Sequence, residues 1–250
     1  KGCTAMKIDI MTLFPAMVAA GMAESIMGRA QKAGLVSICP VNIRDFAPDK
    51  HHKADDSPYG GGMGMVMLAE PLYRCHQHLC GGSHVHTVLM SPAGQPFTQA
   101  KARELLTQEH IILVCGHYEG VDQRFIDHCV DEELSLGDFV LTGGELPAMA
   151  VADAVCRMVP GVLSDEACFT EESHWNGLLE YPQYTKPAVW EGRAVPEVLL
   201  SGHHANIQAW RREMSLRKTK ACRPDLFASF QPESKLDQNI LQKLQAEDGD

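Results

Sequence analysis

The chain has 250 residues, 45% of them apolar and 22% charged, with a formal net charge of −10. A chain of that length buries a full core without disulfide or metal staples, and no apolar run approaches the roughly 18 residues that a membrane span needs. The acidic total excludes a generic nucleic-acid coat protein, which holds polyanions by overall positive charge.

Residues 1–5 lack the apolar stretch of a secretory signal, leaving Met6 as an alternative start or the first five residues as a leader. Residues 7–13 alternate and predict a strand, ended by Phe14-Pro15. The Ala- and Met-rich stretch 16–33 predicts one helix closed by Gly34. A strand is expected at 35–43, a long polar and Gly-rich loop at 44–64, and a helix at 68–79. Residues 86–90 predict a strand that Ser91-Pro92-Ala93-Gly94 terminates as a turn. Next come a helix at 98–106, a buried strand at 111–115 and a short helix at 122–130. A strand at 139–142 and a helix at 145–158 complete the alternation. Strands alternating with helices imply an α/β domain with a mostly parallel sheet. After Pro160-Gly161 the pattern changes: residues 164–173 are polar and acidic without a period and read as a linker. Residues 177–196 are rich in turn formers. A helix is expected at 204–220, with Ile207, Trp210 and Met214 on one face, and a last one at 237–246.

Charge is unevenly placed. Residues 119–138 hold seven acids against one base, Arg124. Residues 211–223 hold six bases (Arg211, Arg212, Arg217, Lys218, Lys220, Arg223) against one acid, Glu213. A polyanion can dock on the second region despite the global charge, although a solvated helix face is the ordinary explanation of a charge run. The nine cysteines form no Cys-x-x-Cys pair, and several sit in apolar runs. They read as buried reduced thiols of a cytosolic protein. Cys75, His76, His78 and Cys80 divide between two helix faces, which argues against a metal site.

Three glycine-bearing turns each follow an apolar strand: Ser91-Pro92-Ala93-Gly94, Gly116-His117-Tyr118-Glu119-Gly120 and Thr142-Gly143-Gly144. Ligands of α/β sheets bind outside the carboxyl ends of the strands, and glycine lets backbone approach them. None of the turns is Gly-x-Gly-x-x-Gly and no Gly-Lys-Ser/Thr follows, so dinucleotide and P-loop readings fail. The run Tyr59-Gly60-Gly61-Gly62-Met63-Gly64-Met65 follows the basic Lys50-His51-His52-Lys53 and reads either as a phosphate cradle or as a flexible loop.

These segments resemble the bacterial tRNA (guanine-N1)-methyltransferases of the SPOUT class. The likeness rests on the Tyr59–Met65 run, Ser91-Pro92-Ala93-Gly94, Cys115-Gly116-His117-Tyr118-Glu119-Gly120-Val121-Asp122 and the long stretch from Ser135-Leu136-Gly137-Asp138 to Glu145-Leu146-Pro147. It continues through Pro160-Gly161-Val162-Leu163, Gly177-Leu178-Leu179, Tyr184-Thr185-Lys186-Pro187, Val195-Pro196 and Leu200-Ser201-Gly202-His203-His204.

The resemblance implies an α/β SPOUT methyltransferase fold with a deep trefoil knot, a rare exception to unknotted topology, plus a small mainly helical C-terminal domain. It divides the chain into a knotted cofactor domain (1–163), a flexible linker (164–176) and a helical tRNA-binding domain (177–250). It implies transfer of a methyl group from S-adenosyl-L-methionine to N1 of guanosine 37 in a tRNA with guanosine at positions 36 and 37. It also implies a cytoplasmic homodimer with shared active sites, and no membrane. A catalytically silent tRNA-binding relative is the alternative.

Carried onto this sequence, the family's base is Glu172, within Glu172-Ser173-His174-Trp175-Asn176-Gly177-Leu178-Leu179, where the family usually has aspartate. Glu171 is its rival. Arg157 takes the place of the catalytic arginine, partner of O6 or of the cofactor end. The cofactor residues implied are Ser91, Pro92, Gly94, Gly116, Tyr118, Gly120, Ser135, Leu136, Gly137, Asp138, Phe139, Val140, Leu141, Gly143 and Gly144. Phe139 stands where the family often has tyrosine, and His117 where arginine is common. Magnesium aids the family's reaction; Glu119 and Glu172 are outer partners for it, and no residue is assigned as a metal ligand.

Overall fold

The computed structural model describes residues 6–247, so Cys3 and any leader over residues 1–5 lie outside the described residues. The chain forms two compact units, the first ending at Glu166 and the second beginning at Ala167.

In the first unit the elements run β1 (Met6–Thr12), α1 (Pro15–Met22), α2 (Ser25–Lys32), β2 (Val36–Asn42), β3 (Asp55–Asp56), β4 (Val66–Met67), α3 (Ala69–Cys80) and β5 (His86–Pro96). They continue with α4 (Gln99–Leu105), β6 (His110–Cys115), α5 (Gln123–Cys129), β7 (Glu132–Ser135) and α6 (Glu145–Cys156). The main sheet has the order β2-β1-β6-β5-β7, and every neighbouring pair is parallel. β6 lies at its centre, and Ile111 to Cys115 are all fully buried. An unbroken apolar run is what a parallel strand covered on both faces requires. Ile112 and Val114 join Leu72 and Cys75 of α3 and Phe125 of α5 in one core cluster. α1 and α4 pack against α6, which also touches β1 and β6.

Several local expectations need correction. The stretch 16–33 is two helices, broken where Ser25 takes a φ of +54°. Ser91–Gly94 does not end a strand, because β5 runs on to Pro96 with Met90 and Gln95 both paired to Leu134 around a bulge. Gly94 permits this, since a Cβ there would lie 2.5 Å from the Glu133 carbonyl carbon and the Leu134 nitrogen. Residues 139–142 are not a strand: Phe139, Val140 and Leu141 are exposed, and the edge strand is instead the acidic Glu132–Ser135. Apolar content marked the wrong segment because those side chains face a cavity and solvent, while an edge strand tolerates charge. The loop 44–64 is also less irregular than expected, for β3 pairs with β4.

The second unit contains α7 (Ala167–Thr170), a short hairpin of β8 (Val189–Trp190) and β9 (Arg193–Ala194), α8 (Glu197–Leu200), α9 (His204–Cys222), α10 (Pro224–Ser229) and α11 (Lys235–Glu247). Its core is Leu178, Leu216, Ile240 and Leu244, with Phe227 and Phe230 packed against it. The buried residues of α9 are Ser215, Leu216 and Thr219, one turn beyond the expected Ile207-Trp210-Met214 face, because α10 and α11 pack against this helix. No helix among the described residues is long and apolar enough to cross a membrane.

Candidate active site

The first unit carries a cavity of about 450 Å³ at the carboxyl ends of β6 and β7 and beside the bulge of β5, within the range of about 300–1,000 Å³ usual for small-molecule sites. Three loops wall it. The first is the β5 bulge, with Met90, Ser91 and Pro92. The second, Gly116–Val121, is pinned by Glu119 N donating to Met65 O (2.9 Å) and Met67 N donating to Gly120 O (2.9 Å). Tyr118 holds a φ of +60° there, and its hydroxyl accepts from Arg44 Nη2 at 3.2 Å. The third follows β7: Gly137 N donates to Ser135 Oγ, Phe139 N donates to Gly137 O, and Gly137 has a φ of +155°. Beyond Leu141 the chain returns to the second loop, where Gly144 N donates to Gly116 O at 2.9 Å.

One buried carboxylate ties these parts together. Glu145, in the first turn of α6, is 2% exposed. It accepts from Thr12 Oγ1 at the end of β1 (2.5 Å) and from His117 Nε2 in the second loop (2.6 Å). A carboxylate at a helix N-terminus is favoured by the helix dipole, and two charge-assisted hydrogen bonds offset its desolvation. Burial, with the Glu145 charge nearby, pushes the Cys115 thiol well above its ordinary pKa and keeps it protonated.

Of the residues expected to meet the cofactor, Ser91, Pro92, Gly116, Tyr118, Gly120, Ser135, Leu136, Gly137, Phe139, Val140, Leu141, Gly143 and Gly144 line this one cavity. Gly94 and Asp138 do not. Gly94 packs its backbone on β7, and Asp138 is exposed. Met90, Glu133, Leu134 and Pro147 also line the cavity and were not anticipated. Glu133 and Leu134 lie on the unrecognised edge strand, whose acidic composition hid it. Glu119 lines the cavity as well, and Gly64 abuts its side chain, so the Gly60–Gly64 run ends at this site.

Arg157 forms the C-cap of α6 in the first unit. Glu172 belongs to the second unit, where it lines a smaller cavity of about 220 Å³ together with Glu171, Asn176, Tyr181, Gln208 and Arg211. The basic run of α9 is largely engaged within its own unit. Arg212 binds Asp237 (2.6 Å), Arg217 binds Glu213 and Glu247, Arg223 binds Asp225, and Lys220 donates to Leu244 O. Burial raises the Asp237 pKa, but hydrogen bonds from Arg212 and Ser234 outweigh it and hold the carboxyl below its ordinary value. Among the described residues no group of three or more His, Cys, Asp or Glu is placed to hold a metal ion.

The arrangement is a cavity of small-molecule size whose walls are largely backbone. The profile of the family described as tRNA (Guanine-1)-methyltransferase TrmD matches residues 6–229. The chain belongs to that family. It is 57% identical over 224 residues to a protein of Ruminiclostridium cellulolyticum named tRNA (guanine-N(1)-)-methyltransferase, covering 89% of this chain and 96% of that protein. A protein of the same name from Desulforamulus reducens is 52% identical over 243 residues, covering 96% and 95%. One from Chloroflexus aggregans is 56% identical over 225 residues, covering 89% and 88%. The match over residues 6–229 runs through both units of this chain.

Proposed function

We propose that this family member transfers a methyl group from S-adenosyl-L-methionine to N1 of guanosine 37 of tRNA, as a cytoplasmic homodimer. The observation that carries the proposal is the cavity of about 450 Å³ enclosed by the β5 bulge and two strand-end loops at backbone contact. Its walls suit the cofactor: Leu134, Phe139 and Leu141 offer apolar faces for a flat base, and the glycine loops offer peptide groups to polar edges. When bound, the cofactor supplies an electrophilic methyl on a sulfonium.

The protein supplies position and a base. N1 of neutral guanine carries a proton and is a poor nucleophile, so a carboxylate must remove it. Glu172 is assigned that task. Its arm is one methylene longer than the family's usual aspartate, so the surrounding backbone must set it back by about 1 Å, a displacement that otherwise costs a large rate factor. Negative charge then grows towards O6, where Arg157 is assigned as the stabilising cation, or to the cofactor end. Residues 1–163 form the cofactor domain, 164–176 the linker and 177–250 the tRNA-binding domain. The fold is assigned as the family's trefoil knot, with Gly94 packed on β7 and Gly144 on Cys115 where its loops meet. The exposed Phe139, Val140 and Leu146 support a second copy covering this face and completing the site. Glu119 and Glu172 are the carboxylates assigned as outer partners of magnesium, and no residue is assigned as a direct ligand.

Methyl incorporation into a tRNA transcript with guanosine at positions 36 and 37 tests the proposal. Glu172→Gln is expected to abolish transfer while cofactor binding survives. Normal turnover by that variant would move the base role to Glu171. A wild-type chain that binds the transcript but transfers nothing would be the silent relative.

A further inference from the structure

The cavity of the second unit has its own chemistry. At about 220 Å³ it is below the range for whole small-molecule ligands, and it fits one flat heterocycle. Glu171 and Glu172 line it with carboxylates, and Arg211 lines it with a guanidinium. That guanidinium lies over the Tyr181 ring, with Cζ 4.8 Å from the ring centroid, and its buried Nε has no hydrogen-bond partner. Arg212, Arg217 and Arg223 on the same helix or at its cap each meet a carboxylate. Arg211 is thus held flat by an aromatic face, with donor capacity that the protein leaves unused.

A buried donor without a partner is a site for an acceptor carried by a ligand. A phosphate is a poor candidate, because Glu171, Glu172 and Glu180 surround the same space and repel it. A guanine base satisfies both signs. Its N1–H and N2 amino group donate to carboxylates, while O6 and N7 accept two parallel hydrogen bonds from one guanidinium. Adenine reverses the pattern at position 6 and at N1, and meets this pocket with mismatched groups.

We infer that this cavity reads the guanine to be methylated, and that Arg211 is its specificity-determining residue, donating to the O6/N7 edge while Glu172 faces N1. The inference rests on the proposed function and adds to it a donor on the O6/N7 edge of the base, which leaves Arg157 to the cofactor end.

The test is a double cycle of Arg211→Gln against a transcript carrying 7-deazaguanosine at position 37, which lacks the N7 acceptor. Each change alone is expected to lower kcat/KM, by up to the roughly 5- to 150-fold of a bidentate arginine–guanine contact. Together they are expected to lower it no further than Arg211→Gln alone. Arg211→Lys keeps the charge without the planar fork and is expected to restore less than half of the logarithmic loss. Thermal unfolding and cofactor affinity of both variants are expected to match wild type. Losses that multiply, or a wild-type chain indifferent to 7-deazaguanosine, overturn the role of Arg211 and leave the proposed function standing. A folded wild-type chain that methylates no guanosine 37 overturns both.

Discussion

Gly144→Ala adds one methyl group where two backbone segments of the walls of the first unit's cavity touch. The new Cβ would lie 2.6 Å from Cys115 Cα, 2.9 Å from Gly116 N and 3.1 Å from the Cys115 carbonyl carbon. Ordinary contact begins near 3.4 Å, so the segments must part by about 0.8 Å. Gly144 has a φ of −83°, which alanine adopts freely, so the effect is steric and not conformational. Overpacking costs about 1–3 kcal/mol, and contact with the backbone of a fully buried central strand places this case near 3. Replacing glycine returns about 0.4–1 kcal/mol by restricting the unfolded chain. The net loss of about 2 kcal/mol lowers Tm by about 4–8 °C in a domain of this size. The same displacement pulls Gly144 N from Gly116 O, so affinity for S-adenosylmethionine is expected to fall, and a misplacement near 1 Å at the reacting groups is expected to lower the rate by up to about 100-fold. Calorimetric unfolding and titration with the cofactor read the two effects. Gly34→Ala is the control: its φ of +71° brings strain, with no atom within 4 Å of the added carbon, and it should reduce stability by about 1–2 kcal/mol and leave cofactor affinity intact. A Gly144→Ala chain with wild-type Tm and wild-type affinity would refute the close-approach account.

Thr12→Val removes the hydroxyl that donates to buried Glu145, and urea unfolding should show a loss of about 1.5–3 kcal/mol, the worth of a hydrogen bond to a charged group; an unchanged midpoint would contradict the tethering role. Acid should unfold the second unit by a definite sign. Hydrogen bonds, first from Lys243 and then from Arg217, hold Glu213 below its ordinary 4.5, and Asp237 is held below 3.8. Folded values below unfolded ones give stability that is complete above those ordinary values and is lost as pH falls through the folded ones. Arg212→Gln should flatten this acid limb in circular dichroism titrations, and an identical limb would remove Asp237 from the explanation. Burial pushes the Cys75 and Cys156 thiols up to about 12 and Cys115 higher than its ordinary value, whereas Cys168 and Cys222 are exposed. Iodoacetamide at mildly alkaline pH should label Cys168 and Cys222 well before those three by peptide mass spectrometry; early labelling of Cys115 would show that β6 opens.

Much of the central sheet was legible because β1 and β6 carry their burial in their composition. Ile111 to Cys115 is apolar without interruption, and only a strand covered on both faces calls for that. The edge strand β7 was not legible, since Glu132 and Glu133 look like solvent-facing residues, whereas the apolar Phe139 to Leu141 stretch looked like a strand and is a loop. Most residues lining the cavity of the first unit were named through glycine-bearing turns and family likeness. Gly94 and Asp138 illustrate the limit: a motif names a segment, but the direction each residue faces depends on the bulge and on the loop that carries it.

From the order of its residues alone, this chain determined its α/β alternation, its strand-end loops and, through whole motifs, its family. Those depend on local periodicity and on spacing along the chain. Only the tertiary structure decided that Glu145 meets both Thr12 and His117, that most of the basic helix is engaged by acids of its own unit, and that Arg211 keeps an unmatched donor beside Glu172. Such pairings join residues far apart in sequence, and the energy of a charge is set by what the fold places beside it.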